Sequence, residues 1–290
     1  DYTRPGVTSR PEEARRMLDE LAAGGLPEAM RELAALDLML PPDKRDPAKC
    51  AAAVALLQKA VDAGDAGAMR MLADCYYGGI GIGQDQAKML ELLNRAAAVG
   101  DTEAIGKLAF CYENGVGVEL DEAEALKLYT RAAEGRLPMA LAKLGDYFFF
   151  GRGVEQNVPK AVEYYQAAAE ARNAYGMYRL GRLYEDGIGV DRSPEKAFNC
   201  FQRAAADGEP AAQLKLGQLY RDGVGVIADP GAAAYWFRRA MDRGNVAAMR
   251  EYALCLLGGK GVTRNAVTGL ELLRRAAEAG DPEARKLLGK

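Results

Sequence analysis

A single period governs this chain. Ala60, Ala96, Ala132, Ala168, Ala204, Ala240 and Ala276 stand 36 residues apart, without slippage. Leu72, Leu108, Leu144, Leu180, Leu216 and Leu288 form a second column, with Tyr252 in the sixth place. Tyr76, Tyr112, Phe148, Tyr184 and Tyr220 form a third, with Leu256 as a substitute. Gly79, Gly115, Gly151, Gly187, Gly223 and Gly259 form a fourth, and each is followed two residues later by another glycine. Self-similarity at this spacing marks a stacked-repeat architecture. One repeat cannot bury its own apolar face and needs a neighbour to cover it.

Each unit reads as two helices. The first carries apolar residues at i, i+4 and i+8, as in Ala212, Leu216 and Tyr220, which is a helical stripe. The Gly-x-Gly loop ends it, because the first glycine suits the left-handed position after a helix, where a side chain clashes. The apolar residue that follows (Ile82, Val118, Val154, Val190, Val226, Val262) is expected to plug the loop onto the core. Three residues later come Asp85, Asp121, Asn157, Ser193, Asp229 and Asn265. All can accept a bond from the free N–H groups that open a helix. The second helix then runs to an Ala-Ala pair and stops near Gly64, Gly100, Gly208, Gly244 or Gly280, with Arg136 and Arg172 in the two remaining places. Those two junctions are expected to turn differently, because arginine resists positive φ.

The N-terminal part fits with a shift of three. Leu26 to Leu40 reads as a first helix, closed by Pro41-Pro42-Asp43-Lys44-Arg45 instead of Gly-x-Gly. The helix from Asp46 is about three residues longer than its counterparts, and Pro11 to Ala23 reads as one more second-type helix. The expectation is all-α: about eight helix-turn-helix repeats and sixteen helices. Residues 1–10 are read as an N-terminal extension and 11–290 as one continuous repeat domain. The last helix stops at Lys290 without its loop, which reads as a cut inside a longer protein.

The pattern L-G-x-L-Y-x-D-G-x-G-V (Leu180 to Val190, Leu216 to Val226), followed by Lys-Ala and Ala-Ala-x-x-Gly, resembles the Sel-one-like repeat (SLR) family, relatives of the tetratricopeptide repeats. The match covers nearly the whole chain. The resemblance implies a right-handed α-solenoid and a non-catalytic adaptor or scaffold binding a partner protein or peptide in a concave groove. Many bacterial members work in envelope or signalling complexes or in exopolysaccharide export. That makes a periplasmic or envelope location the expectation, with the cytoplasm as the alternative, and an anionic polysaccharide the alternative partner.

Composition narrows the chemistry. The chain holds no His, which removes His-based nucleophile activation, the His general base and His-ligated metal. Ser9 and Ser193 are its only serines. The net charge of −3 provides no electrostatic footprint for nucleic acid. The most apolar stretch, near Ala51 to Leu57, falls far short of the roughly 20 residues of a membrane span. Five cysteines show no zinc or redox spacing. They fall in apolar columns and read as small buried hydrophobes. No cofactor, metal or catalytic residue is expected.

Two motifs invite catalytic readings and are absorbed by the repeat. Ser193-Pro194-Glu195-Lys196 has the S-x-x-K form of penicillin-recognising enzymes, and a β-lactamase-like hydrolase is the remote alternative. Yet Ser193 stands in the capping column, where its counterparts are Asp and Asn. The Gly-x-Gly runs follow helices, whereas a dinucleotide cradle follows a strand.

A solenoid's ligand columns vary, because the partner is not periodic. Helical phase at 100° per residue puts Met139, Ala142, Lys143, Asp146, Phe149 and Phe150 opposite the core stripe of their helix. One repeat on, Tyr175, Tyr178, Arg179 and Arg182 share that face. Phe149, Phe150, Tyr175 and Tyr178, with Arg182 beside them, are therefore the candidate partner-binding cluster, since clustered aromatics and arginine outside the core mark interaction sites. Lys107, Lys143, Arg179 and Lys215 form a second candidate, a basic ladder suited to an acidic peptide or anionic polymer. Its alternative is a set of side chains paired to neighbouring Glu or Asp.

Overall fold

The computed structural model describes residues 11–289, so the expected extension over 1–10 lies outside the described residues. Sixteen α-helices, one 3-10 turn and no strand occur among them. They divide between Leu137 and Pro138 into two compact units.

In the first unit, α1 (Pro11–Ala23) precedes three helix pairs: α2 (Pro27–Leu38) with α3 (Pro47–Asp62), α4 (Ala66–Gly78) with α5 (Gln86–Ala98), and α6 (Thr102–Asn114) with α7 (Glu122–Glu134). In the second unit the pairs are α8 (Pro138–Phe150) with α9 (Val158–Glu170), α10 (Ala174–Asp186) with α11 (Pro194–Ala206), α12 (Pro210–Asp222) with α13 (Pro230–Asp242), and α14 (Val246–Gly258) with α15 (Ala266–Glu278). The short α16 (Pro282–Leu287) closes it. Each unit is thus a run of stacked helix pairs, the α-solenoid construction. The longer α3 is present, and Pro42–Lys44 forms the 3-10 turn where the other repeats carry Gly-x-Gly.

The punctuation works as the columns imply. Gly79, Gly115, Gly187, Gly223 and Gly259 cap their helices in the left-handed region, at φ between 67° and 70°. The second glycine is needed for closeness: a Cβ on Gly261 would collide with the Pro230 carbonyl. The next residue does plug the loop, as Val154 and Val190 pack on the core of their repeats. Asp85, Asp121, Asn157, Ser193, Asp229 and Asn265 all accept from backbone N–H groups at helix starts. Ser193 Oγ takes the Lys196 N–H at 3.3 Å, so this serine serves as a cap.

The expectation for Arg136 and Arg172 holds in part. They adopt φ of 57° and 59°, against 85° to 98° for Gly64, Gly100, Gly208, Gly244 and Gly280, but φ stays positive at all seven. The turn bonds are the same: Arg172 N–H reaches the Ala169 carbonyl at 3.1 Å, as Gly208 N–H reaches Ala205. Two carbonyls at the helix end need these donors, and that demand outweighs a strain of about 1–2 kcal/mol per residue.

The core is small residues against large ones. Ala60, Ala96, Ala132, Ala168, Ala204, Ala240 and Ala276 are all completely buried. Tyr165, Phe201 and Phe237 are equally buried, and each faces a glycine on the preceding helix: Gly145, Gly181 and Gly217. A Cβ on Gly181 would stand 2.7 Å from the Phe201 ring. The same column holds Ala73 and Ala253 where the opposing position is Leu93 or Leu273, but also Ala109 where it is the equally buried Tyr129, so glycine accompanies three of the four rings. All five cysteines are free thiols, with Cys50, Cys75, Cys111 and Cys255 buried and Cys200 half-buried. Burial pushes the Cys75 and Cys111 thiols up to about 11.

Candidate functional site

The aromatic cluster lies in the second unit, where α8, α9 and α10 meet. Its base is an ionic and phenolic knot. Asp146 is 7% exposed and accepts the Tyr165 hydroxyl at 2.6 Å and the Tyr175 hydroxyl at 2.8 Å. The Arg179 guanidinium stands 3.4 Å from the same carboxylate. Burial, and then Asp146, hold both phenols protonated far above the usual tyrosine range. The guanidinium is also boxed by rings. Its carbon lies 5.2 Å from the Phe149 centroid, 5.0 Å from Phe150, 5.3 Å from Tyr165 and 5.9 Å from Tyr175. Such placements are cation–π contacts. Phe149 and Phe150 meet edge to face at 5.0 Å.

Above this base opens a cavity of about 220 Å³, lined by Phe149, Phe150, Tyr178, Arg179, Arg182, Leu183, Asp186 and Ile188. Phe150 is 51% exposed at its edge. Tyr178 is half-buried, its ring 5.9 Å from Phe201. Arg182 is exposed and held by Glu185 and Asp186, each at 3.4 Å. Its guanidinium is raised further above its ordinary range, first by the Tyr178 hydroxyl. The wall of the cavity is therefore fixed before any partner arrives.

The sequence-selected residues separate into two groups. Phe149, Phe150, Tyr178, Arg179 and Arg182 share the cavity. Tyr175 does not line it, because its hydroxyl is committed to Asp146 beneath. The face assigned by phase is also less open than expected. Ala142 and Asp146 are buried, because consecutive first helices approach closely: a Cβ on Gly176 of α10 would lie 3.6 Å from that of Ala142 in α8.

The basic ladder is internally compensated. Lys107 reaches Asp74 at 2.8 Å, Arg179 pairs with Asp146 and Lys215 reaches Glu185 at 2.7 Å. Lys143 is half-buried and engaged as well. Asp74, Asp146 and Glu185 each belong to the repeat before their cation, so Lys107, Arg179 and Lys215 tie successive repeats together.

Sequence reasoning placed Asp146 on this face without giving it a role, and it missed Tyr165. A signal existed for both. Asp146 stands in a column of Asp74, Phe110, Arg182, Gln218 and Leu254, so its acid has no periodic cause. Tyr165 puts a hydroxyl into a core column, and a buried hydroxyl requires an acceptor.

A model of the Sel1 repeat matches residues 27–65, 66–101, 102–136, 138–173, 174–209, 210–245 and 246–281. This chain belongs to the Sel1 repeat family. Sel1 repeat proteins generally mediate protein–protein interaction and are generally non-catalytic scaffolds. No curated protein matches the chain. Among solved structures, a Sel1 repeat protein from Oxalobacter formigenes is 27% identical with a TM-score of 0.71, covering 91% of this chain and 99% of that one. A protective antigen of uropathogenic Escherichia coli with an SLR fold, c5321, is 28% identical with a TM-score of 0.69 over 93% of this chain. This Sel1 protein spans only 57% of the antigen's length. The immunity protein Pa5087 from Pseudomonas aeruginosa shares the fold at 21% identity and a TM-score of 0.55, covering 74% of this chain and 81% of that one. No helix among the described residues is long and apolar enough to cross a membrane.

Proposed function

We propose that this Sel1 repeat protein is a non-catalytic scaffold that holds a segment of a partner protein against the α8–α10 surface, with Phe150 and Tyr178 as anchors and Arg182 beside them. The observation that supports this is the preformed cavity above the Asp146–Arg179 knot. Its aromatic walls are ordered by the chain's own contacts, so little side-chain entropy remains to be lost on binding. Aromatic and arginine side chains in such settings dominate binding energies because they desolvate much area per residue ordered. The ladder contributes less to this reading than the rings do, since its charges are spent between repeats.

The test is affinity capture followed by a binding isotherm. Wild type and the double variant Phe150→Ala/Tyr178→Ala are compared for what they retain, and the retained partner is then titrated against both. The expected loss for each single alanine is about 1–3 kcal/mol, with helicity unchanged. Leu180→Ala, a core control, should instead lower stability by roughly 2–5 kcal/mol. A partner that binds the double variant as tightly as wild type removes the site from this surface.

A further inference from the structure

A second opening occupies the homologous place two repeats later. A cavity of about 690 Å³ lies between α12, α13 and α14, lined chiefly by Phe237, Leu254, Cys255, Leu257 and Lys260, with Arg221 and Glu251 at one side. The correspondence is residue for residue: Arg221 stands where Phe149 does, Glu251 where Arg179 does, Leu254 where Arg182 does, and Lys260 where Ile188 does. Its size falls in the usual range of binding cavities.

Three departures from the repeat create it. The position of Gly258 carries Asn114, Phe150, Asp186 or Asp222 in the four preceding repeats, so a side chain is missing from the wall. Leu254 and Leu257 replace Arg182 and Glu185, or Gln218 and Arg221, and turn a polar wall apolar. Leu254 is 36% exposed there, and the floor is Phe237, which is completely buried. Lys260 takes a position that holds Ile80, Val116, Ile188 or Val224 in four other repeats.

The charges at this opening do not cancel. Arg221 is held by Glu251 at 2.8 Å and by Asp222 at 2.7 Å, and Glu251 also receives Arg250 at 3.0 Å. Arg221 and Glu251 are thus spent on each other and on their neighbours. Lys260 makes no ion pair among the described residues, which leaves one uncompensated cation at the edge of an apolar pocket. Deepening the scaffold reading, and resting on it, we infer that this cavity takes a bulky apolar side chain of the partner segment with an adjacent carboxylate seated on Lys260. An apolar residue alone would leave the ammonium without a counter-charge, and an acid alone would leave Leu254 and Leu257 wet.

The test is selection of a random dodecapeptide library on the full chain, wild type against Lys260→Glu, with Lys260→Met removing the charge at nearly constant length. Lys260 is exposed in a loop, so unchanged circular dichroism is expected for both. Wild type should enrich Leu, Ile, Phe or Trp within two positions of Asp or Glu, and Lys260→Glu should lose that acid. A selected peptide should bind Lys260→Glu at least tenfold more weakly than wild type. Replacing its acid by the amide should weaken wild-type binding about as much, with little further loss on Lys260→Met. Selected peptides without an acid, or equal affinity for wild type and Lys260→Glu, overturn the inference. So does binding of dodecanoate, a free amphiphilic carboxylate, when no peptide is selected. Peptides that lose affinity with Phe150→Ala and keep it with Lys260→Glu overturn this inference and leave the α8–α10 reading standing.

Discussion

Asp146→Ala removes the acceptor shared by three donors. Tyr165 and Tyr175 each lose a hydrogen bond to a charged group, and Arg179 keeps its charge in a setting where only 18% of its side chain is exposed. Breaking a fully buried ion pair from one side costs about 3–5 kcal/mol. Here the guanidinium–carboxylate separation is 3.4 Å and the site opens onto a cavity, so the lower end applies. The two phenol bonds add to the penalty, less for Tyr175, which is only half-buried. The expected loss is about 3–4 kcal/mol. Removing both charges with Asp146→Ala/Arg179→Met should be less damaging than Asp146→Ala alone, because no unpaired charge then remains. Repeat arrays do not always unfold in one step. Urea unfolding by circular dichroism should therefore be paired with amide exchange in α8 and α10, where the loss is expected to concentrate. A cost under about 1 kcal/mol for Asp146→Ala, or a double variant no better than the single one, would refute the knot as the base of the cavity.

Arg172→Gly should stabilise the chain by about 0.5–1 kcal/mol, because relief of about 1–2 kcal/mol of left-handed strain exceeds the extra entropy glycine gives the unfolded chain. The lost contact to Asp207, at 3.9 Å from an 80% exposed arginine, is a surface pair of little weight, and thermal denaturation reads the difference. Arg15 chelates Asp37 at 2.7 and 3.2 Å and holds its carboxyl below the usual range. The folded value is depressed, so the stabilisation of α1 on α2 is complete above the unfolded value near 3.9 and is lost as pH falls through the folded one. Amide exchange in α1, corrected for intrinsic rates, should lose protection as pH falls from about 5 to about 2.5. Arg15→Ala should flatten that dependence, and an unchanged profile would exclude the pair as its cause.

The helix pairs were legible because their causes are periodic. A glycine after each first helix from α4 to α14, a capping side chain before each second helix and an alanine in each core recur at one spacing. Coincidence does not produce that, and local geometry alone fixes the outcome. The knot was not legible because it is a meeting of three helices that occurs at one repeat. Tyr165, Tyr175 and Arg179 lie 19, 29 and 33 residues from Asp146, and none looks unusual until the others are beside it. Arg172 was legible in part. Its side chain shifts φ to 59° from the 85° to 98° of the glycine junctions, while the carbonyls of the helix end still hold φ positive.

The ladder shows why column reading needs its partner column. Phe149 faces Arg179, Glu185 faces Lys215 and Arg221 faces Glu251, so the same two positions of successive repeats meet each time, 30 residues apart. The chemistry changes at every step: a ring over a cation, then acid with base, then base with acid. A column read singly gives Lys107, Lys143, Arg179 and Lys215 as a positive stripe and treats Glu251 as its end. Read in pairs, the stripe largely vanishes, because Lys107, Arg179 and Lys215 each have their complement on the preceding repeat. Skipping one repeat would set Glu185 opposite Glu251 and Phe149 opposite Lys215, turning an attraction into a repulsion. The pairs therefore distinguish the native stacking from its shifted alternatives more than they add net stability, since exposed ion pairs contribute little singly. What is left for a partner is whatever these pairs leave uncompensated, which at the two cavities means the rings above Asp146 and the ammonium of Lys260.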